Sequence, residues 1–138
     1  MNKLGCHVSM SAPDYLLGSL EMAKSQDANC FMIYTGSPQS IARQPISKLK
    51  VKELHDALKQ EHIPIEDVIV HAPYIINCAN SEAKKRHFAK TFLAQEVERV
   101  NAIGAKYLVL HPGSNPNKEE GCKYIAEAIN YVNKTNKH

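Results

Sequence analysis

Apolar runs and amphipathic segments alternate four times along the chain. The apolar runs predict strands over residues 3–8, 28–34, 68–71 and 107–111. Their residues are almost continuously apolar, whereas a strand with one face in water alternates apolar and polar positions. We therefore expect these strands to be buried on both faces, as in a parallel sheet that helices cover.

The segment after each strand has the periodicity of an amphipathic helix. The third helix is the clearest, because apolar residues recur at i, i+4, i+8 and i+11, namely at Ala89, Leu93, Val97 and Val100. Ser81 is a suitable N-cap for it, and Gly104 a suitable terminator. The fourth helix is predicted over about residues 118–134, with its apolar stripe at Ile125, Ala128, Ile129 and Val132.

Repetition of strand and helix predicts an α/β fold with a parallel sheet. Two architectures remain open at this point, a doubly wound sheet and a (β/α)₈ TIM barrel. A complete barrel takes about 250 residues, whereas this chain has 138 and provides four βα units. The barrel interpretation therefore makes residues 1–138 a single domain that is the N-terminal half of a TIM barrel.

Composition narrows the class of protein only modestly. Apolar residues make up 43% of the chain and the formal charge is +3, which is compatible with DNA binding but common among cytosolic enzymes. Neither a membrane span nor a secretory signal is recognisable, so we expect a cytoplasmic location and no membrane partner. The cysteines, none of them in a CxxC pair, are expected to be reduced thiols: Cys6, Cys30, Cys78 and Cys122.

Three of the seven histidines lie at or near the end of a predicted strand. Since the carboxyl ends of parallel strands form the active-site face of α/β enzymes, His7, His71 and His111 are expected to converge there. Any one of them alone is best explained as a strand-end residue with a local hydrogen bond. Three at equivalent positions favour a metal site, because imidazole is a common zinc ligand. The other four are expected in solvent: His55, His62, His87 and His138.

The carboxylates do not complete such a metal site. Asp67 begins a strand at the opposite end, and the pair Glu119 and Glu120 lies where acidic residues favour a helix N-terminus. Zinc in catalytic sites takes about three protein ligands. The chain also has no GxGxxG, GxxxxGK[ST] or GxSxG motif, which removes support for nucleotide-binding and serine-hydrolase functions.

Four short segments, in order and in register across the whole chain, resemble the endonuclease IV family. They are Leu4-Gly5-Cys6-His7-Val8-Ser9, Tyr34-Thr35-Gly36-Ser37-Pro38-Gln39, His71-Ala72-Pro73-Tyr74-Ile75-Ile76-Asn77 and His111-Pro112-Gly113-Ser114. The resemblance implies a TIM barrel with three clustered zinc ions, which hydrolyses the phosphodiester 5′ of abasic sites in double-stranded DNA. The chain resembles the first half of that family.

The resemblance also implies roles for individual residues. His71 and His111 resemble two ligands of the same zinc ion. Tyr74 matches a residue that enters the DNA at the lesion, although an exposed loop tyrosine is more often simply surface. Gln39 resembles part of a loop that probes the minor groove and base stack.

Three further residues are expected at the DNA-binding face on the same basis. His7 and Ser9 match a segment that lines the site, and Ser114 follows His111 in a tight loop that would approach the substrate closely. The family's other ligands lie in the second half of its barrel. We therefore expect at most a partial zinc site here, and little or no activity from these 138 residues alone.

Two other functions stay open at the level of sequence. One is a metal-dependent barrel enzyme that isomerises sugars, although the Tyr74 loop and the segment before Gln39 favour DNA. The other is a non-catalytic half-barrel that dimerises, because half a barrel leaves two unpaired sheet edges.

Overall fold

A computed structural model describes residues 2–136, so His138 lies outside the described residues. Four strands alternate with four helices: β1 (Gly5–His7), α1 (Tyr15–Ser25), β2 (Cys30–Ile33), α2 (Val51–Gln60), β3 (Val68–His71), α3 (Ala83–Ile103), β4 (Tyr107–Val109) and α4 (Lys118–Thr135). Short 3₁₀ turns precede α2 and β3, at Ile46–Lys48 and Ile65–Asp67.

The four strands form one parallel sheet in the order β1-β2-β3-β4. Sequential order is that of a TIM barrel, whereas a doubly wound sheet reverses its order at a switch point. The predicted α/β class with four βα units, half of a TIM barrel, is therefore confirmed.

The main core lies between one face of this sheet and the helices. Phe31 and Ile33 of β2, with Val68 and Val70 of β3, are buried against leucines of α1 and α2 and the end of α3. Since alternate residues of a strand point to opposite faces, these four share the helix side. A second cluster joins α3 to α4.

The opposite face of the sheet is open, which contradicts the prediction of strands buried on both faces. The register aligns His7, Met32, Ile69 and Tyr107 in one row across the four strands. In β4, Tyr107 is 57% exposed and Val109 is 38% exposed. These residues face what would be the interior of a closed barrel, and half a barrel leaves that interior open.

Several local predictions were wrong. The N-cap of α3 is Glu82 rather than Ser81, and the carboxamide oxygen of Asn80 accepts its N–H. Ile129 is 43% exposed, because α4 packs through the narrower stripe of Ala128 and Val132. His55 is only partly exposed, and its Nε2 lies 2.7 Å from the carbonyl oxygen of Ile103.

Two expectations from composition can be compared with the fold. All four cysteines are free thiols. Between residues 2 and 136, every helix is too short or too polar to cross a lipid bilayer.

Candidate functional site

Four ring side chains, one from each βα unit, form a row at the carboxyl edge of the sheet. The ring centroids of His7 and Tyr34 are 4.6 Å apart, and those of Tyr34 and His71 are 5.0 Å apart. His71 and His111 follow at 4.8 Å, nearly edge to face. The structure thus brings His7, His71 and His111 together, and it inserts Tyr34, whose role the sequence analysis missed.

His71 is the anchored member of the row. Its side chain is buried, and Nδ1 lies 2.6 Å from the carbonyl oxygen of Ala72. The Ala72 backbone is itself held, because its N–H donates to the carbonyl of Val109. A carbonyl can only accept, so Nδ1 of the neutral ring carries the proton and Nε2 keeps its lone pair. This is the tautomer that a metal-binding imidazole needs, with the other nitrogen oriented by a backbone acceptor.

His111 lies in a loop rather than in a strand. β4 ends at Val109, two residues before it, so the predicted strand 107–111 is too long. The His111 side chain is exposed, whereas that of His71 is buried. Its position next to His71 therefore depends on the loop that follows.

Asn77 fixes that loop. Its Oδ1 accepts the N–H groups of Ser114 and Ala79, each at 3.0 Å, and its Nδ2 donates to the carbonyl of Ser114 at 2.9 Å. Gly113 has φ of +102°, and a Cβ there would overlap Asn77 Oδ1, so only glycine fits. One carboxamide thus ties the loop after β3 to the loop after β4.

The pKa of His7 is shifted by its surroundings. Partial burial and the neighbouring His71 both lower the pKa of the His7 imidazole from its usual range, burial being the larger cause. The neutral form of His7 is therefore favoured at pH 7.

The predicted DNA-contacting residues surround this row. Tyr74 is 44% exposed, and its ring lies 6.4 Å from that of Tyr34. An open cavity of about 450 Å³ lies beside His7 and is lined in part by Ser9, Tyr34, Gly36 and Pro38. Ser9 and Ser114 are exposed in their loops.

Gln39 is exposed in the loop after β2, and an ionic network that the sequence analysis missed holds this loop. Arg43 pairs with Glu96 of α3, Nε to Oε1, at 3.0 Å. The available signal was a carboxylate on an apolar helix stripe, since Glu96 lies three residues after Leu93 and four before Val100. Such a position predicts a buried partner, because unpaired buried charges are very costly.

The metal ligands present are few. Within residues 2–136, His, Cys, Asp and Glu nowhere gather in a group of three or more that could hold a metal ion. His71 and His111 could contribute two imidazoles to a zinc ion, and a catalytic zinc site takes about three protein ligands. Two imidazoles are fewer than such a site needs, so the described residues alone do not complete one.

The sequence profile of the xylose isomerase-like TIM barrel family matches residues 20–138. The chain belongs to this family. Within it, the chain is 48% identical over 117 residues to a probable endonuclease 4 of Ureaplasma parvum, covering 85% of this chain and 39% of that protein. The resemblance to endonuclease IV is thereby confirmed at the level of sequence.

Solved structures of TIM-barrel proteins agree in fold. Endonuclease IV from Thermus thermophilus superposes with a TM-score of 0.75 at 26% identity, over 95% of this chain and 47% of that one. A D-tagatose 3-epimerase-like protein superposes with a TM-score of 0.64 at 16% identity, over 96% of this chain and 48% of that one, which shows the shared fold alone. The chain spans less than half the length of the curated relatives that it matches.

Proposed function

We propose that this chain is part of a zinc-dependent endonuclease that hydrolyses the phosphodiester 5′ of abasic sites in double-stranded DNA. The observation that carries the proposal is the close approach of the His71 and His111 rings, in a row whose Tyr34 ring lies 6.4 Å from the exposed ring of Tyr74. The names of the relatives support a nuclease, and the geometry supports a metal-binding mouth next to a DNA-contacting aromatic.

In this proposal, His71 and His111 would hold one zinc ion together with ligands that the described residues do not provide. A zinc ion bound there would lower the pKa of its water toward about 7 and would offset charge on the phosphate. The chain's own contribution is orientation, since the Ala72 carbonyl fixes the His71 ring and Asn77 fixes the His111 loop.

The DNA-contacting roles follow from exposure and position. Tyr74 would stack on or wedge between bases next to the lesion. Gln39 would probe the minor groove, and the open cavity beside His7 and Ser9 would accept the strand. Ser114, exposed in the loop after β4, would contact the DNA as well. An abasic nucleotide has no base to unstack, so extruding it costs less than extruding a paired one.

Fluorescence anisotropy tests the substrate preference. We expect the chain to bind a duplex with one abasic site more tightly than the intact duplex, and Tyr74→Ala to reduce that preference. Phe88→Ala is the matched control, because Phe88 is 46% exposed on the outer helix α3. Equal affinities for the two duplexes would contradict the proposal, and stronger competition by free ketoses than by abasic DNA would favour the sugar-isomerase alternative.

Incision is a separate test, since we expect these 138 residues alone to be inactive or nearly so. Labelled abasic duplex is incubated with the chain and zinc, with His71→Ala, His111→Ala and a chelator as controls. If the chain cuts 5′ of the lesion, and if all three controls abolish the cut, then metal ligands beyond those of the described residues are not needed.

A cytoplasmic location is part of the same proposal, because repair acts on chromosomal DNA.

Self-association is the second candidate, favoured by one observation. Tyr107 and Val109 leave the inner face of β4 open, and β1 and β4 are edge strands. Two copies that pair through these surfaces would close the sheet. Sedimentation velocity at micromolar concentration would show a dimer that Val109→Lys dissociates, whereas a folded monomer would count against this function.

A further inference from the structure

The loop between β2 and α2 is held from inside by one of its own residues. Nη1 of Arg43 donates to the backbone carbonyls of Ser37, Ser40 and Ala42, at 3.3, 2.9 and 2.8 Å. Three carbonyls on one nitrogen define the path of residues 37–42, and Gln39 lies within that path. The guanidinium therefore sets the conformation of the segment that presents Gln39.

The same guanidinium fastens the loop to helix α3. Nε donates to Oε1 of Glu96 at 3.0 Å and to Oγ1 of Thr35 at 2.9 Å, while Thr35 donates to Oε2 of Glu96 at 2.6 Å. The side chain of Arg43 is 3% exposed and that of Glu96 is fully buried. Arg43 and Glu96 are 53 residues apart in the sequence, so this contact fixes the loop to a distant part of the chain.

Stability alone does not explain this pair. Burying two charges costs several kcal/mol per ion, and replacing such a pair with apolar residues is often neutral or stabilising. Nη2 of Arg43 is buried without a hydrogen-bond partner among the described residues, and the ring of Phe92 lies 5.3 Å from the guanidinium carbon. An imperfectly satisfied pair in apolar surroundings is better explained by the conformation that it specifies.

We propose that the Arg43–Glu96 pair is a positioning device, which holds the 35–45 loop in the shape that lets Gln39 distinguish abasic from intact DNA. This inference rests on the proposed function for its substrate. Arg43 and Glu96 are positioning residues, because both are buried and act through the loop.

Hydrogen exchange of the purified chain tests the loop. The double variant Arg43→Met/Glu96→Leu removes both charges and keeps apolar volume beside Phe92. We expect the amides of Gln39, Ser40 and Ala42, which are hydrogen-bonded in the loop, to exchange at least about tenfold faster, while amides in the middle of α3 stay protected. Unchanged exchange in a folded double variant would overturn the proposal.

Two further variants keep this test decisive. Arg43→Lys retains the charge but loses the planar fork, so it should loosen the loop even if the double variant fails to fold. Lys52→Met/Asp56→Leu removes an exposed ion pair of α2 and should leave the exchange of the loop unchanged. A rigid loop in Arg43→Lys would mean that charge alone is sufficient and that the fork geometry is not a positioning device.

A double-mutant cycle on DNA affinity links the loop to recognition. We expect the apolar double variant to lower the preference for abasic over intact duplex by about tenfold, and to have little further effect in a Gln39→Ala background. Additive losses would show that the pair does not act through Gln39. If the native chain does not prefer abasic DNA, the proposed function and the proposed substrate are both wrong. The hydrogen-exchange data decide separately whether the Arg43–Glu96 pair orders the loop.

Discussion

The Nδ1 atom of His71 lies 2.6 Å from the carbonyl oxygen of the next residue, Ala72, and this contact leaves Nε2 as the ring's free acceptor. The side chain is buried, so water competes little for that hydrogen bond. The contact thus selects the tautomer of the neutral ring that has its proton on Nδ1 and its lone pair on Nε2. That preorganisation is what a zinc ligand gains from a backbone acceptor behind it.

Zinc affinity should depend on His71 and His111 and on no histidine of the outer helices. We expect His71→Ala and His111→Ala each to weaken binding by at least about tenfold in competition with a chromophoric chelator. His87→Ala, an exposed position on α3, is the matched control. Equal affinity in all three variants would remove these two imidazoles from the metal site.

His7 should titrate below its usual range near 6.5. NMR titration of its ring protons should give the lowered pKa, and His71→Gln should raise it partway, since burial, the larger cause, remains. Because the unfolded chain then binds more protons than the folded chain, stability contributed by neutral His7 is present above pH 6.5 and is lost as the pH falls through the folded-state pKa. A His7 pKa above 6.5 would reverse this direction.

Asn77 should stabilise the fold as well as the site. Asn77→Ala removes the hydrogen bonds of the carboxamide to Ala79 and Ser114 and leaves the Ser114 N–H without its acceptor. We expect a loss of about 1–3 kcal/mol in urea unfolding. Asn133→Ala, on the exposed side of α4, should change stability by less than about 0.5 kcal/mol. Comparable losses in the two variants would mean that the hydrogen bonds of the Asn77 carboxamide do not stabilise the folded chain.

Cysteine reactivity should separate Cys78 from Cys122. Burial raises the pKa of the Cys78 thiol, which is 2% exposed, whereas Cys122 is exposed on α4. Since the thiolate is the reactive form, brief alkylation of the native chain near pH 8 should label Cys122 first. Peptide mass spectrometry gives the order, and equal labelling after unfolding in urea is the control.

Sequence patterns predicted those parts of the fold that local chemistry determines. β3 was predicted with its observed bounds, Val68–His71, because Asp67 and Pro73 enclose a short apolar run. The end of α3 was likewise predicted by Gly104, whose φ of +87° few other residues tolerate. The convergence of the three histidines followed from the topology of parallel strands.

The remaining features depend on partners distant in sequence. β4 ends at Val109 because pairing with β3 ends there, opposite His71. Periodicity alone could not show that Ile129 lies beyond the reach of α3. The ion pair of Arg43 and Glu96 joins a loop to a helix. The only signal for it in the sequence was a carboxylate on an otherwise apolar helix stripe.

The ring row does not follow one register line of the sheet. His7 pairs with Met32 and His71 pairs with Val109, so Tyr34 and His111 each lie two residues farther along the chain than the residue opposite the neighbouring histidine. The close ring contacts therefore depend on side-chain direction and on the loops after β2 and β4 as well as on the strands. Since each ring comes from a separate βα unit, one ring can be replaced without changing the segment that carries any other, so the chemistry of such a site can diversify one strand at a time.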